Sequence, residues 1–296
     1  MIIGITGGSG RVGRYAIEAA LEHVGPEQVV VTTRTPGLLT DLAERGVDVR
    51  FGDFDQPASL KEAFHGVDRL LMISASNATG RRQDEHSAAL EVGRAAGVSR
   101  VAFTSMPNVD KADHPSGLAA EEYRDAELAI INSGLDYVLL RVAPYAELNA
   151  VERMMVPART GALRINTGDG RAAFISRSDV GAAAVAALIS DDYSRSLVDL
   201  TGSVTHTFGD IAALVGEVLG SPLRYEAVSD AEYKAELLAV GDSPLLAEAV
   251  AGLGKAIRTG YFEVVADDAA HLLGRAPLSL EQVIDRNADV LRAAAG

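Results

Sequence analysis

The chain opens on an apolar run, Ile2, Ile3 and Ile5, which breaks at Thr6-Gly7-Gly8-Ser9-Gly10-Arg11-Val12-Gly13. Directly afterwards Tyr15, Ala16, Ala19, Ala20 and Leu21 form an apolar face at helical spacing, ended by Gly25-Pro26. A second run, Val29-Val30-Val31-Thr32-Thr33, then arrives at the spacing of a strand–helix–strand unit. Residues 37–45 read as a short helix, and Val47-Asp48-Val49-Arg50-Phe51 alternates as a half-buried strand does. Leu70-Leu71-Met72-Ile73 is apolar without a break, the pattern of a central parallel strand buried on both faces. Beyond it the periodicity predicts a helix over 81–96 stopped by Gly97, a strand over 100–104, a helix over 117–133 closed by Gly134, and a strand over 137–140. The connection 106–116 holds two prolines and two aspartates and predicts a mobile loop. This alternation of strand and helix predicts a doubly wound parallel sheet of the Rossmann type, an α/β fold.

After Arg141 the alternation loosens. Ala143-Pro144-Tyr145 breaks it, and the segment through Gly161 and Gly168-Asp169-Gly170 has hairpin or loop character. Ser178-Asp179 is placed to cap an alanine-rich helix over 180–189, and 197–201 reads as a late strand returning to the sheet. Thr207-x-x-Asp210, Ser229-x-x-Glu232 and Ser279-x-x-Gln282 resemble capping boxes, each opening a helix. The expected organisation is a Rossmann domain over 1–148 plus about 174–201, with 149–173 and 202–296 forming a smaller C-terminal α/β lobe for substrate. With no repeat and no long linker, the two are expected to act as one rigid unit.

Composition removes several classes of function. The chain has no cysteine, so disulfides, thiol nucleophiles and thiolate metal sites are excluded and redox work needs a bound cofactor. A net charge of −14 argues against broad nucleic-acid or anionic-membrane binding. No apolar run approaches a membrane span, and the first strand begins without a basic leader or cleavage site, so a cytoplasmic protein is expected. His23, His65, His86, His114, His206 and His271 are scattered without ligand spacing, so no metal site is expected, and His86 reads as a packing residue. An acidic monomer or homodimer fits these bounds.

The candidate chemistry sits at the ends of the predicted strands. Gly8-x-Gly10-x-x-Gly13 satisfies the dinucleotide fingerprint, and here it follows a strand, opens a helix and precedes a second strand. Gly7, Gly10 and Gly13 divide three tasks: a tight turn, close approach of a pyrophosphate, and close helix–strand packing. The helix N-terminus behind them would offer its N–H groups and dipole to phosphate. Arg34 lies 21 positions past Gly13 (34 − 13), where NAD-specific folds carry an acid for the ribose 2′-hydroxyl; an arginine there suits a 2′-phosphate, unless it is an ordinary surface residue. NADP(H) is thus expected over NAD(H). Asp53 falls where the third strand meets an adenine edge, though Asp53 and Asp55 are equally placed to cap the helix begun by Pro57; the expectation gives Asp55 to the cap and Asp53 to the nucleotide. Ser74, Ala75 and Ser76 follow the central strand at the switch point where ligands bind, and Ser105 ends the next strand.

Taken together, the glycine turn, Arg34-Thr35-Pro36, Gly52-Asp53-Phe54, Leu140-Arg141 with Tyr145 and Glu147, and Gly168-Asp169-Gly170 resemble the NmrA-like atypical short-chain dehydrogenases nearly end to end. Asp55-Gln56-Pro57-x-Ser59-Leu60 and the tail over 255–274 look nearest to the bacterial NADPH:quinone oxidoreductases and triphenylmethane dye reductases of that family. The resemblance implies that Gly7, Gly10, Val12 and Gly13, with Thr6, Gly8, Ser9 and Arg11 around them, hold the pyrophosphate and that Arg34 meets the 2′-phosphate. It implies that Asp53 bounds the adenine, that Ser74 and Ala75 pass the nicotinamide ribose, and that Thr104, Ser105, Tyr123 and Tyr145 line the substrate end.

The departures shape the expected chemistry. Tyr123 is followed four residues later by Glu127, so the Tyr-x-x-x-Lys pair of ordinary short-chain dehydrogenases is absent, and Tyr123 stands where near relatives carry His. Val142 and Leu148 replace the asparagines usual there. Without a lysine beside it, Tyr123 would donate a hydrogen bond rather than act as a strong acid. A quinone needs no such acid, because hydride arrival leaves a resonance-stabilised hydroquinone anion that Tyr123 or Ser105 could steady. The expected function is therefore NADPH-dependent reduction of a quinone-like or aromatic acceptor, with Ser105, Tyr123 and Tyr145 as candidate catalytic residues. The alternative is a non-catalytic NADP(H)-sensing regulatory protein, and a narrower one is a ketoreductase acting on an aromatic metabolite.

Overall fold

Continuous apolar runs become the middle of a sheet, since only strands covered on both faces can afford them. In the computed structural model, which describes residues 1–74 and 82–296, the strands are β1 (Ile3–Thr6), β2 (Val29–Thr33), β3 (Asp48–Phe51), β4 (Arg69–Met72), β5 (Arg100–Ser105), β6 (Asp136–Val142), β7 (Ala162–Ile165), β8 (Arg171–Ala172), β9 (Ser196–Leu200), β10 (His206–Thr207) and β11 (Arg224–Ala227). The helices are α1 (Arg11–Leu21), α2 (Thr40–Glu44), α3 (Pro57–Ala63), α4 (Arg82–Ala95), α5 (Leu118–Asn132), α6 (Pro157–Thr160), α7 (Arg177–Ile189), α8 (Phe208–Leu219), α9 (Asp230–Ala239), α10 (Pro244–Arg258), α11 (Asp268–Leu273), α12 (Leu280–Arg286) and α13 (Ala288–Ala295).

The chain divides into two units. The first comprises Met1–Met106, Glu122–Arg141 and Arg177–Val198. Its sheet runs β3-β2-β1-β4-β5-β6-β9, with β1 parallel to both β2 and β4. The doubly wound parallel sheet is thus borne out. The order of winding reverses between β1 and β4, which makes the carboxyl ends of those two strands the switch point where such sheets bind ligands. Val30, Leu70, Met72, Val101, Phe103 and Leu139 pack with Leu60 and Ala63 of α3, Ala89 and Leu90 of α4, and Ala126 and Ile130 of α5. Against the strands also lie α1 and α7, whose backbones nearly touch: a Cβ on Gly181 would stand 2.7 Å from the Ala16 nitrogen. Small residues on both helices permit that approach.

Arg100 opens β5 almost fully buried, which its partners explain: Nε donates to Asp136 at 2.5 Å, and Nη1 donates to the carbonyls of Leu188 and Ser190. Burial alone would raise the Asp136 carboxyl, but donors from Ser194 and Arg100 outweigh it and hold the group below the usual carboxylate range.

The second unit comprises Pro107–Glu121, Val142–Ser176 and Asp199–Gly296. The three capping boxes are all formed, at Thr207, Ser229 and Ser279, so α8, α9 and α12 start where the sequence says. Of the hairpin or loop character expected through Gly161 and Gly168-Asp169-Gly170, the structure shows the loop: residues 166–169 form a turn and no hairpin closes around it. β7 instead pairs in parallel with β11, and β8 pairs antiparallel with β10, so the two strands flanking Gly168-Asp169-Gly170 belong to different sheets. The cap expected at Ser178-Asp179 also shifts, because α7 already begins at Arg177 and places Asp179 in its first turn, beneath the helix dipole.

The loop after β5, read as mobile, is bound down within this unit. Asn108 donates to the Tyr261 carbonyl at 2.7 Å, and the Tyr261 hydroxyl donates to Asp113 at 3.3 Å. His114 meets the Tyr261 ring edge-on at 4.7 Å. Burial pushes His114 below the ordinary imidazole range, and its Nδ1 accepts from the Ser116 amide, as a neutral ring can. Composition signals a loop but not the aromatic that receives it.

Candidate functional site

The turn between β1 and α1 is built by glycine for reasons of its own packing. Gly7 has φ +65°, a left-handed conformation that disfavours a side chain. A Cβ on Gly13 would fall 2.3 Å from the Gly7 carbonyl oxygen. Gly8 is buried, and a Cβ there would strike Val31, whereas Gly10 is exposed and would meet only the Gly7 carbonyl, at 3.0 Å. Thr6 is buried and accepts from the Ile73 amide at 2.9 Å, which ties the end of β1 to the chain leaving β4.

Behind this turn the start of α1 is left open. Gly10 is its cap, in extended conformation and without a side chain, and no acidic residue stands in the first turn. Arg11 is exposed at the first helical position and Val12 turns into the core. A phosphate fits this place: the helix end carries donors and a positive dipole that no side chain caps among the described residues, and the glycines keep side chains out of the way.

At the end of β2 a small polar cluster adjoins the turn. Ser9 Oγ and Thr33 Oγ1 are 2.8 Å apart, and Thr35 Oγ1 donates to Ser9 at 3.3 Å. Arg34 lies between Thr33 and Thr35 in the chain, exposed and without a pairing carboxylate among the described residues. Hydroxyls plus an unspent guanidinium are the donors a phosphomonoester requires. The Asp53 carboxylate is engaged locally, accepting from the Asp55 amide at 3.2 Å and from Gln56 Nε2 at 3.1 Å. The expected cap at Asp55 is not formed, since the cap of α3 is Gln56, which makes no side-chain cap, and Pro57 takes the first helical position. The turn closes around Asp53 and Ser59 instead.

At the switch point the structure joins Ser74, Thr104 and Tyr123 in one chain of hydroxyls. The Ser74 amide donates to Thr104 Oγ1 at 2.8 Å, Thr104 Oγ1 donates to Ser74 Oγ at 3.2 Å, and Ser74 Oγ lies 3.0 Å from the Tyr123 hydroxyl. The Tyr123 ring is held at a tilt against Phe103, centroids 6.3 Å apart, on the core of its unit. Ala75 and Ser76 lie outside the described residues. Ser105 is next to Thr104 on β5 and so faces the other side of the sheet; its Oγ is buried with no hydrogen-bond partner among the described residues.

One pair that sequence reading missed stands beside this chain. Glu127, one helical turn beyond Tyr123 on α5, receives both Nε and Nη2 of Arg141, at 3.1 and 2.9 Å, with both side chains largely buried. Arg141 is in register with Ser105 across β5 and β6. The signal available in sequence was only the carboxylate standing at the lysine position. His86 is buried edge-on to Phe103, at 5.0 Å between centroids, in a packing role. Tyr145 belongs to the second unit, bridged to Ile175, with its carbonyl accepting from the Asn149 amide and Nδ2. Among the described residues no cluster of three or more His, Asp or Glu is placed to hold a metal, and no helix is long and apolar enough to cross a membrane.

A family profile described as NAD(P)H-binding matches residues 7–191, from the glycine turn to the end of α7. The chain belongs to this NAD(P)H-binding family. Among its relatives, quinone oxidoreductase 2 of Escherichia coli K12 is 33% identical over 250 residues, 84% of this chain and 86% of the relative. The crystal structure of an NADPH-dependent quinone oxidoreductase from Escherichia coli in complex with NADPH is 30% identical with a TM-score of 0.88, covering 96% of this chain and 99% of the other. Citrobacter sp. triphenylmethane reductase in complex with NADP(H) is 27% identical with a TM-score of 0.87, covering 97% and 99%. The NmrA-like, NAD(P)H-binding family read from the motifs is therefore borne out.

Proposed function

We propose that the protein is an NADPH-dependent reductase that delivers hydride to a quinone-like or aromatic acceptor. The observation that carries this reading is the end-to-end likeness to an NADPH-bound quinone oxidoreductase. Three features of the chain's own site support it. The open start of α1 and the glycine turn take the pyrophosphate. Arg34, with Ser9, Thr33 and Thr35, takes a 2′-phosphate, which gives NADPH its preference over NADH. Ser74, Thr104 and Tyr123 line the reacting end, and Asp53 keeps to the adenine side.

When bound, the dihydronicotinamide supplies a hydride, two electrons with one proton. The residues need only hold an acceptor flat in reach of it and keep water from competing. Tyr123 has Glu127 where a lysine would stand, and Arg141 already neutralises that carboxylate. Glu127 thus replaces the lysine that makes tyrosine a strong acid in alcohol-forming dehydrogenases, which suits acceptors whose reduced form is protonated by solvent. The test is oxidation of NADPH with a panel of quinones and cationic dyes. Turnover supports the reductase, and tight NADPH binding without turnover of any acceptor points to a nucleotide sensor.

A further inference from the structure

We propose that residues 107–117 form a pH-operated strap in the second unit, with His114 as its latch: the strap is seated while the ring is neutral and released when the ring takes up a proton. The segment joins β5, which ends at Ser105, to α5, which carries Tyr123. Acid therefore loosens the connection between two elements of the candidate site.

The strap is three turns laid end to end, and His114 belongs to two of them. The Lys111 amide donates to the Asn108 carbonyl, the His114 amide to Lys111, and the Gly117 amide to His114. Its fixings to the chain after α10 are few: Asn108 Nδ2 donates to the Tyr261 carbonyl, the Tyr261 hydroxyl donates to Asp113, and the buried His114 ring stands edge-on to Tyr261 and Phe262, at 4.7 and 6.1 Å between centroids. One group decides how the ring is protonated. The Ser116 N–H can only donate, so Nδ1, which receives it at 3.2 Å, has to be bare and the neutral ring carries its proton on Nε2. A second proton would sit on Nδ1 and set two donors face to face. Nε2 is itself buried and makes no hydrogen bond among the described residues.

The surroundings agree with the hydrogen bond. Burial is the largest influence on the ring and lowers its pKa; the Pro107 carbonyl and Asp113 oppose it, and Lys111, whose Nζ lies 5.2 Å from the Tyr261 ring centroid, adds to it. The segment after α10 presents the Tyr261 hydroxyl, whose pKa is raised and which stays neutral throughout. From its other side α10 meets residues 115–116 through the backbone at Gly252, and its charges act elsewhere: Glu248 on Lys234, Lys255 and Arg258 on Asp230. The sign follows. A released ring titrates near the ordinary imidazole value of about 6.5, and the seated ring only at lower pH. Seating is fully present above about pH 7. As pH falls through about 6.5 the released form binds the proton first, and seating weakens by up to about tenfold per pH unit until the seated ring's own value is reached.

The experiment is amide hydrogen exchange of the full chain at pH 8 and pH 5, corrected for intrinsic exchange rates, in wild type, His114→Phe and His114→Gln. Phenylalanine keeps a ring beside Tyr261 and Phe262, glutamine keeps an acceptor, and neither titrates. Protection of the amides over 108–117, taken relative to those of β5, is expected to fall about 5- to 30-fold in wild type between the two pH values, the upper figure being the full linkage of one proton at a released value of about 6.5. In both variants it should change less than about twofold. A second readout needs no variant: the imidazole nitrogen shifts of His114 in wild type should place its proton on Nε2 at pH 7 and its titration midpoint below about 6.5. Strap protection that is the same at both pH values overturns the proposal, as does an equal fall in the two variants. So does a His114 that carries its proton on Nδ1 at pH 7 or titrates at or above the ordinary value.

Discussion

At the residue scale, the proposed preference for NADPH over NADH depends on Arg34. It is exposed at the end of β2, and among the described residues no carboxylate claims it. Arg34→Ala should weaken NADPH binding about 10- to 100-fold, the worth of a charge-assisted hydrogen bond, and leave NADH binding near its wild-type value. Fluorescence titration of both nucleotides checks this, and equal loss for both would mean that the arginine touches no 2′-phosphate. Arg34 can be singled out from the sequence because the fingerprint fixes a counting distance. Glu127 and Arg141 cannot, since nothing in a one-dimensional pattern says that a carboxylate on α5 and a guanidinium on β6 will face each other in a buried pair.

That pair matters at the scale of elements, because it pins α5 to β6 one turn from Tyr123. Its burial decides the cost of breaking it. Glu127→Ala strands a guanidinium in a largely dry place and should cost about 3–5 kcal/mol, whereas Glu127→Gln, which can still accept one hydrogen bond, should cost clearly less. Thermal or urea unfolding measures both, and equal losses would contradict the charge argument. Elements with local causes were readable: the alternation through β6, the glycine stops, and the boxes opening α8, α9 and α12 each arise from residues within a few positions of one another. The pairing of β7 with β11 was not. Strands of four residues carry little periodicity, and their partner arrives about 60 residues later, so only the fold brings Ala162 to Arg224. The same distance hides the hydroxyl chain, whose members are 30 and 49 positions apart.

For the whole molecule, stability in acid follows from carboxylates that folding holds ionised. Hydrogen bonds from Arg258 and Asn166 lower Asp230, the Thr207 amide lowers Asp210 in its capping box, and Asp136 is lowered despite its burial. Because these pKa values are depressed in the folded state, the unfolded chain binds more protons once pH falls below about 4, the ordinary carboxylate value. Stability is therefore full above roughly pH 5 and is lost progressively as pH drops through the folded values. Asp136→Asn should lower stability at neutral pH and flatten part of that acid slope, which urea titrations at stepped pH would show. A slope of opposite sign would contradict the assignment.

The central claim is that the glycine turn, Arg34 and the switch-point hydroxyls serve NADPH-dependent reduction. It is tested most directly by kcat/KM for NADPH and for NADH with a simple benzoquinone as acceptor. The account predicts turnover with both nucleotides and a preference for NADPH of about tenfold or more, largely abolished in Arg34→Ala. Equal use of both nucleotides, or a preference for NADH, would contradict it.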